Sequence, residues 1–220
     1  MEATQRSMAA IASLIIALAV TLLRGPVASS APVGTHYRGL RYEGVIGQTD
    51  WFTCGPAALA TLLTYYYDMP TTEAEMLEAA LRSDSEVEAL DREEGLSMLA
   101  LRHALQEKGI ASRGYRVTLE ALTDYYARGG LPVILHVTQP QLHYVVAVGT
   151  VENDIVLADP SLGLYALPVD ALTGEKGFSG NILVPLPHEE LMQIAAAKQA
   201  EVLSQYADRR TQLDALRRRL

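Results

Sequence analysis

Two periods of apolar positions divide the chain. From about residue 57 to 128 they recur at steps of three and four; from 131 to 184 they come in short blocks rich in branched side chains. The first pattern belongs to amphipathic helices and the second to strands. Leu59, Leu62 and Leu63 predict a helix over 57–67, ended by Asp68-Met69-Pro70, because proline restricts its predecessor. Thr72 and Glu75 make a capping box that opens a helix over 74–81. Residues 83–94 are acidic and read as a loop or a frayed helix. Leu96, Leu99, Ala100, Ala104 and Leu105 predict a helix to Lys108, closed by Gly109. A short strand over 115–117 and a short helix over 118–128 follow. Strands are then expected over 131–137, 143–149 and 155–158, the last two joined by a hairpin turn at Glu152-Asn153-Asp154. Further short strands are expected at 165–167 and 181–184. Helices first and antiparallel strands second describe an α+β domain with helices packed on one side of a sheet.

Both flanks differ from this middle. Arg6, an apolar run over 8–23 and small residues around Ser29-Ser30-Ala31 form a signal-peptide pattern, so 1–31 is read as a cleaved signal or a retained anchor. The apolar run is slightly short of the roughly 20 residues of a comfortable span. On either reading the remainder is exported, to the periplasm or the periplasmic face of the inner membrane, with membrane association through 8–23 under the second. Residues 32–47 form an extended lead-in to a domain that closes at Pro185-Leu186-Pro187. From 188 to 220 the pattern is one long helix. Met192, Ala195, Gln199, Val202, Tyr206, Arg209, Leu213, Leu216 and Leu220 form a heptad seam, with Gln199 and Arg209 as polar interruptions. That seam is expected to self-associate weakly or to dock on a secretion channel; the competing reading is an amphipathic helix lying on its own domain.

Composition narrows the chemistry. Hydrophobic residues make up 49% of 220, enough for a sizeable core. The net charge of −8 argues against a nucleic-acid surface. No paired cysteines, His-Glu-x-x-His or close histidine pair suggests a metal, and no glycine-rich loop suggests a phosphate. No cofactor is expected. The one cysteine, Cys54, stands before Gly55-Pro56 at the start of the first helix. A thiol there feels unpaired N–H groups and the positive end of the helix dipole, which favour its anion.

A thiol nucleophile needs an imidazole, a group to orient it and donors for an oxyanion. His143 opens a strand directly after a polar loop. Asp159 ends a neighbouring strand, and a short hairpin could set it beside His143. Gln48, six residues before Cys54, could bring its amide next to the Cys54 N–H. Trp51, Gly55 and Tyr144, adjacent to these, are the expected substrate contacts. Each choice has a bland rival. Cys54 could be a buried core thiol, His143 a satisfied strand histidine, and Asp159-Pro160 plain turn chemistry. His136 and His103 are rival bases, the first inside an apolar strand and the second on a helix near Glu107.

Four segments taken in order carry a resemblance. They are Gln48 with Cys54-Gly55; Gly95-Leu96 before a helix ending at Lys108-Gly109; 141–149 around His143; and 156–163 around Asp159-Pro160. Together they resemble the peptidase C39 family, papain-like peptidases that cut after a double glycine. The resemblance implies a papain-like α+β fold over 32–187, Cys54 and His143 as the catalytic pair, Asp159 and Gln48 in support, and a secreted polypeptide or leader as substrate. Thr53 stands where an acidic residue often precedes the cysteine, and Pro56 follows the glycine. Family members often sit at the front of export transporters, whereas this chain carries an export pattern and no nucleotide-binding motif. In that it is similar to the stand-alone exported members, including the peptidase-like component of functional-amyloid secretion systems. A peptidase-like module that binds a secretion or amyloid-assembly partner without cutting it is the alternative.

Overall fold

The order of elements follows the two periods. The structure, a computed structural model, describes residues 39–83, 90–91 and 95–218. The signal-like segment and most of the acidic stretch 83–94 lie outside the described residues. Helix α1 (Cys54–Thr61) begins at the cysteine itself, three residues before the apolar period starts, and widens into a π-helical turn (Leu62–Tyr66). Asp68, at φ 53°, ends it. Helix α2 (Glu73–Ser83) opens on the expected capping box: the Thr72 N–H donates to Glu75 at 2.7 Å and the Glu75 N–H to Thr72 Oγ1 at 3.2 Å. Two two-residue strands, β1 (Leu90–Asp91) and β2 (Gly95–Leu96), pair with each other. Helix α3 (Met98–Glu107) is capped by Ser97 and closed by Gly109 at φ 79°.

A six-stranded antiparallel sheet follows: β3 (Ala111–Arg116), β4 (Val133–Val137), β5 (His143–Val151), β6 (Asp154–Asp159), β7 (Gly163–Pro168) and β8 (Phe178–Leu186), in the order β3-β8-β4-β5-β6-β7. Helix α4 (Leu119–Ala127), capped by Thr118, precedes β4, and α5 (Val169–Gly174) precedes β8. The last helix is α6 (Glu189–Arg217).

Alternation along the strands splits the core in two. Ile134, Tyr144, Val146, Val148 and Val156 pack with α1, α2 and α3. Val133, Leu135, Val145, Ala147 and Leu157 pack with Leu122 and Tyr126 of α4 and Leu172 of α5. Helices therefore cover both faces of the sheet, where one was expected. The difference comes from α5, whose six residues are too few to show a period, and from α4, whose apolar side takes the face that α1 leaves open.

Helix α6 belongs to the same compact unit, Gly39–Leu220. Its first half lies on the π-helical turn and β5. Gln199, expected as an interruption of the seam, is instead its anchor: Nε2 donates to the Val148 carbonyl at 2.6 Å and the Gly130 carbonyl at 2.8 Å. Gly149 makes the approach possible, since a Cβ there would stand 2.8 Å from Leu203 Cδ1. Further along, Tyr206 and Arg210 both hold Asp154. Met192, Leu213 and Leu216 of the expected seam face solvent, the last two at 56% and 57% exposure. The rotation of a straight helix of 3.6 residues per turn carries a heptad row off the sheet after a few turns. No helix among the described residues is long and apolar enough to cross a membrane.

Candidate active site

The loop entering α1 is tied down before it reaches the cysteine. The Ile46 N–H donates to Thr61 Oγ1 at 2.9 Å, the Gln48 N–H to the Pro160 carbonyl at 3.0 Å and the Thr49 N–H to Glu73 Oε1 at 2.8 Å. Thr53 closes a small turn by bonding both backbone groups of Asp50. Cys54 is thus the first helical residue of a fixed helix. Its own N–H is one of those an α-helix leaves without an internal partner.

His143 is the first residue of β5 and Asp159 the last of β6, so the antiparallel hairpin brings both to one end of the sheet. His143 Nε2 lies 2.8 Å from Asp159 Oδ1, and both residues are buried. Oδ1 also accepts from the backbone N–H of Ser161 at 2.8 Å and of Leu162 at 3.2 Å, while Oδ2 accepts from the Tyr165 hydroxyl at 3.2 Å. Burial alone would raise the Asp159 pKa, but the His143 hydrogen bond and charge, with the Ser161 N–H, hold it below the usual carboxylate value. An ionised Asp159 only accepts, so Nε2 of His143 carries a hydrogen.

The other ring nitrogen, Nδ1, is buried and has no partner at hydrogen-bond distance. The Cys54 thiol is its neighbour. Burial works against a charge on His143, but the Asp159 hydrogen bond, the adjacent Cys54 sulfur and the negative charges of both outweigh it, raising the pKa from 6.5 to about 9. The sulfur is close enough to act on the ring yet does not hold it in a short bond, a looseness common in sites without substrate.

Gln48 joins this group from the loop. Its Nε2 donates to the Asp50 carbonyl at 2.8 Å, and its Oε1 accepts from the Ser161 hydroxyl at 2.7 Å. One amide hydrogen remains uncommitted. A single run of contacts therefore connects Gln48, Ser161, Asp159, His143 and Cys54.

The expected substrate contacts divide. Trp51 is 50% exposed, with its ring edge-on to Phe52. Gly55 is turned inward: a Cβ there would lie 2.7 Å from Leu101 Cδ2, so the glycine is required by packing of α1 on α3. Tyr144 is only 8% exposed, because strand alternation sends it into the core beside His136. Neither Gly55 nor Tyr144 offers a ligand much side-chain surface. His136 bonds Ser179, and His103 lies on α3, so neither rival base is assigned to this cluster. Ser161 and Tyr165 are the members that the sequence did not single out. The only signal for Ser161 was its place two residues after Asp159.

Comparison with known proteins bears on the same residues. The model of the Peptidase C39 family matches residues 43–190. A "probable functional amyloid protease FapD" of Pseudomonas aeruginosa is 31% identical over 146 residues, 65% of this chain and 60% of that protein. An uncharacterized protein of Methanothermobacter marburgensis is 31% identical over 142 residues, 64% of this chain and 87% of that protein. Among solved structures, the peptidase domain of Streptococcus ComA, a bi-functional ABC transporter, superposes with a TM-score of 0.55 at 22% identity, covering 66% of this chain and 98% of that domain. A double glycine motif protease from an AMS/PCAT transporter, solved with its leader peptide, gives 0.51 at 27% identity, covering 65% of this chain and 90% of its own.

Proposed function

Because the chain belongs to the peptidase C39 family, we propose that it is an exported cysteine endopeptidase that cuts a secreted protein or leader after a small-residue, Gly-Gly-like site. The observation that carries this reading is the buried His143–Asp159 pair, 2.8 Å apart, whose second ring nitrogen has no partner but the neighbouring sulfur. A structural histidine would use both nitrogens. The double-glycine preference is supported by similarity to a protease whose structure holds a leader peptide. Export is supported by the pattern over 1–31.

In this mechanism Cys54 Sγ attacks the scissile carbonyl carbon as a thiolate, with the proton already on His143 Nδ1. The carbonyl oxygen becomes an oxyanion, held by the uncommitted Gln48 amide hydrogen and the Cys54 N–H. His143 gives its Nδ1 proton to the departing nitrogen, the C–N bond breaks and a thioester remains. Water then attacks the thioester while His143 takes a proton from it. The C–S bond breaks and the thiolate–imidazolium pair is restored. Asp159 keeps the ring in one tautomer and orientation throughout.

The test is cleavage of a Gly-Gly-containing peptide by the wild type and by Cys54→Ala, followed by mass spectrometry. The variant should leave the peptide whole while its circular dichroism stays native. Cleavage at an undiminished rate would overturn the reading.

A further inference from the structure

Glu73 is a buried acidic residue that the mechanism above does not use. It is the first residue of α2, and none of the ion pairs among the described residues includes it. The helix dipole favours an acid in this turn, but that role requires neither burial nor a distant partner. Glu73 has both. Its Oε1 accepts from the backbone N–H of Thr49, 24 positions earlier, at 2.8 Å.

The bond falls beside the oxyanion donor. The peptide group entering the Gln48 Cα is tied through the Gln48 N–H, which donates to the Pro160 carbonyl at 3.0 Å. The peptide group leaving it carries the Thr49 N–H, which Glu73 holds. Both peptide groups that flank the Gln48 Cα are therefore fixed, one to the turn after β6 and the other to α2. The next tie along the loop is at Asp50, whose N–H donates to Thr53 Oγ1 at 3.1 Å. The platform that bears Glu73 is firm. Thr64 Oγ1 accepts from the Thr71 N–H at 2.9 Å and donates to the Thr71 carbonyl at 3.0 Å, which anchors the chain just ahead of α2. The capping box of Thr72 and Glu75 closes the first turn, and Met76, Ala79 and Ala80 sit in the core. An oxyanion donor must be aimed before the charge develops, and a misplacement of about 1 Å can cost about 100-fold in rate.

We propose that Glu73 is a positioning residue for the oxyanion donor: from α2 its side chain clamps the backbone of Gln48, so that the uncommitted amide hydrogen is aimed before substrate arrives. The proposal rests on the peptidase reading given above.

Three substitutions separate reach from charge. Glu73→Gln keeps an acceptor oxygen at the same reach, so kcat on a Gly-Gly-containing peptide should stay within about twofold of the wild type. Glu73→Asp keeps the acid but falls a methylene short, and Glu73→Ala has no acceptor. Each should lower kcat about tenfold at nearly constant KM, a part of the roughly 10²–10³-fold that one oxyanion donor supplies. A Glu73→Gln enzyme as slow as Glu73→Ala, or a Glu73→Asp enzyme as fast as the wild type, overturns the proposal. In a Gln48→Ala background Glu73→Ala should cost less than about twofold more, because both changes remove the same contribution. A full further loss there would assign Glu73 a structural role elsewhere and overturn the clamp. The clamp is also read without turnover. In full-length Cys54→Ala protein, NMR should show a rigid Gln48 side-chain amide and a Thr49 amide protected from exchange. Glu73→Ala and Glu73→Asp in that background should abolish both, and Glu73→Gln should keep them. A Gln48 amide that stays rigid in Glu73→Ala overturns the clamp and leaves the peptidase standing. Loss of that rigidity in a protein whose wild type cuts nothing keeps the clamp and sinks the peptidase.

Discussion

Gln199 of α6 and His143 of β5 are both buried polar side chains, 8% and 7% exposed; His143 opens β5 and Gln199 bonds it further along, at Val148. Gln199 gives its amide hydrogens to two backbone carbonyls. It locks α6 to the sheet and has no chemistry left to offer. His143 is secured at Nε2 and left open at Nδ1. A buried polar group without a partner is costly, of order 1–3 kcal/mol, so a fold that keeps one tends to use it. One strand thus meets both kinds of polar group: Gln199 of α6 bonds it at Val148 with its donors satisfied and makes a joint, whereas His143 opens it with one nitrogen unbonded beside a thiol and makes a candidate site.

The sharpest way to break this contrast is to remove the ring. His143→Ala should cut kcat/KM by about 10⁴-fold or more, as with other members of nucleophile–base pairs. Residual turnover near the wild-type rate would place the base elsewhere. Gln48→Ala should cost about 2.7–4 kcal/mol of transition-state stabilisation, seen as a fall in kcat at nearly constant KM. Gln199→Ala should reduce stability by about 1–3 kcal/mol in urea unfolding, through two carbonyls left bare, while kcat stays near the wild-type value. An equal loss of kcat would erase the distinction between joint and site.

The smallest effect concerns pH. The His143 pKa is raised, so its contribution to stability is full below about 6.5 and is lost as pH climbs through about 9. Asp159 has a lowered pKa and contributes above the usual carboxylate range, losing that contribution as pH falls. The urea midpoint of the wild type should therefore decline between pH 7 and 10, and His143→Asn should flatten that decline. Gln199→Ala should shift the whole curve down without changing its slope. A slope unchanged in His143→Asn would mean the imidazole gains no proton-linked partner on folding.

Much of the site was legible because its parts stand at ends of elements. Cys54 before Gly55-Pro56, His143 after a polar loop and Asp159 before Pro160 each carry a local signature of termination. Helix ends were readable for the same reason: Thr72 with Glu75, Gly109 and Thr118 are local devices. What stayed hidden depends on distant chain meeting in space. Ser161 and Gln48 bond across 113 positions, and no sequence window contains both. Tyr165 reaches Asp159 only because β6 and β7 pair in one register. Gln199 looked like a flaw in a repeat, since the repeat was judged against an absent partner helix when the partner was β5. Gly55 and Tyr144 drew notice as neighbours of Cys54 and His143, but packing against Leu101 and strand alternation decide where they point.

The stretch ahead of the cysteine has one more consequence. Arg41 Nε reaches the Leu162 carbonyl at 2.8 Å and the Tyr42 hydroxyl the Ser161 carbonyl at 2.6 Å, while Gly163, at φ 83°, leaves room for the Arg41 backbone. These stitches pin the turn that bears Asp159 from outside the sheet. Any shortened version of this protein therefore has to begin upstream of Arg41, or the turn that carries Asp159 loses both of its outer ties.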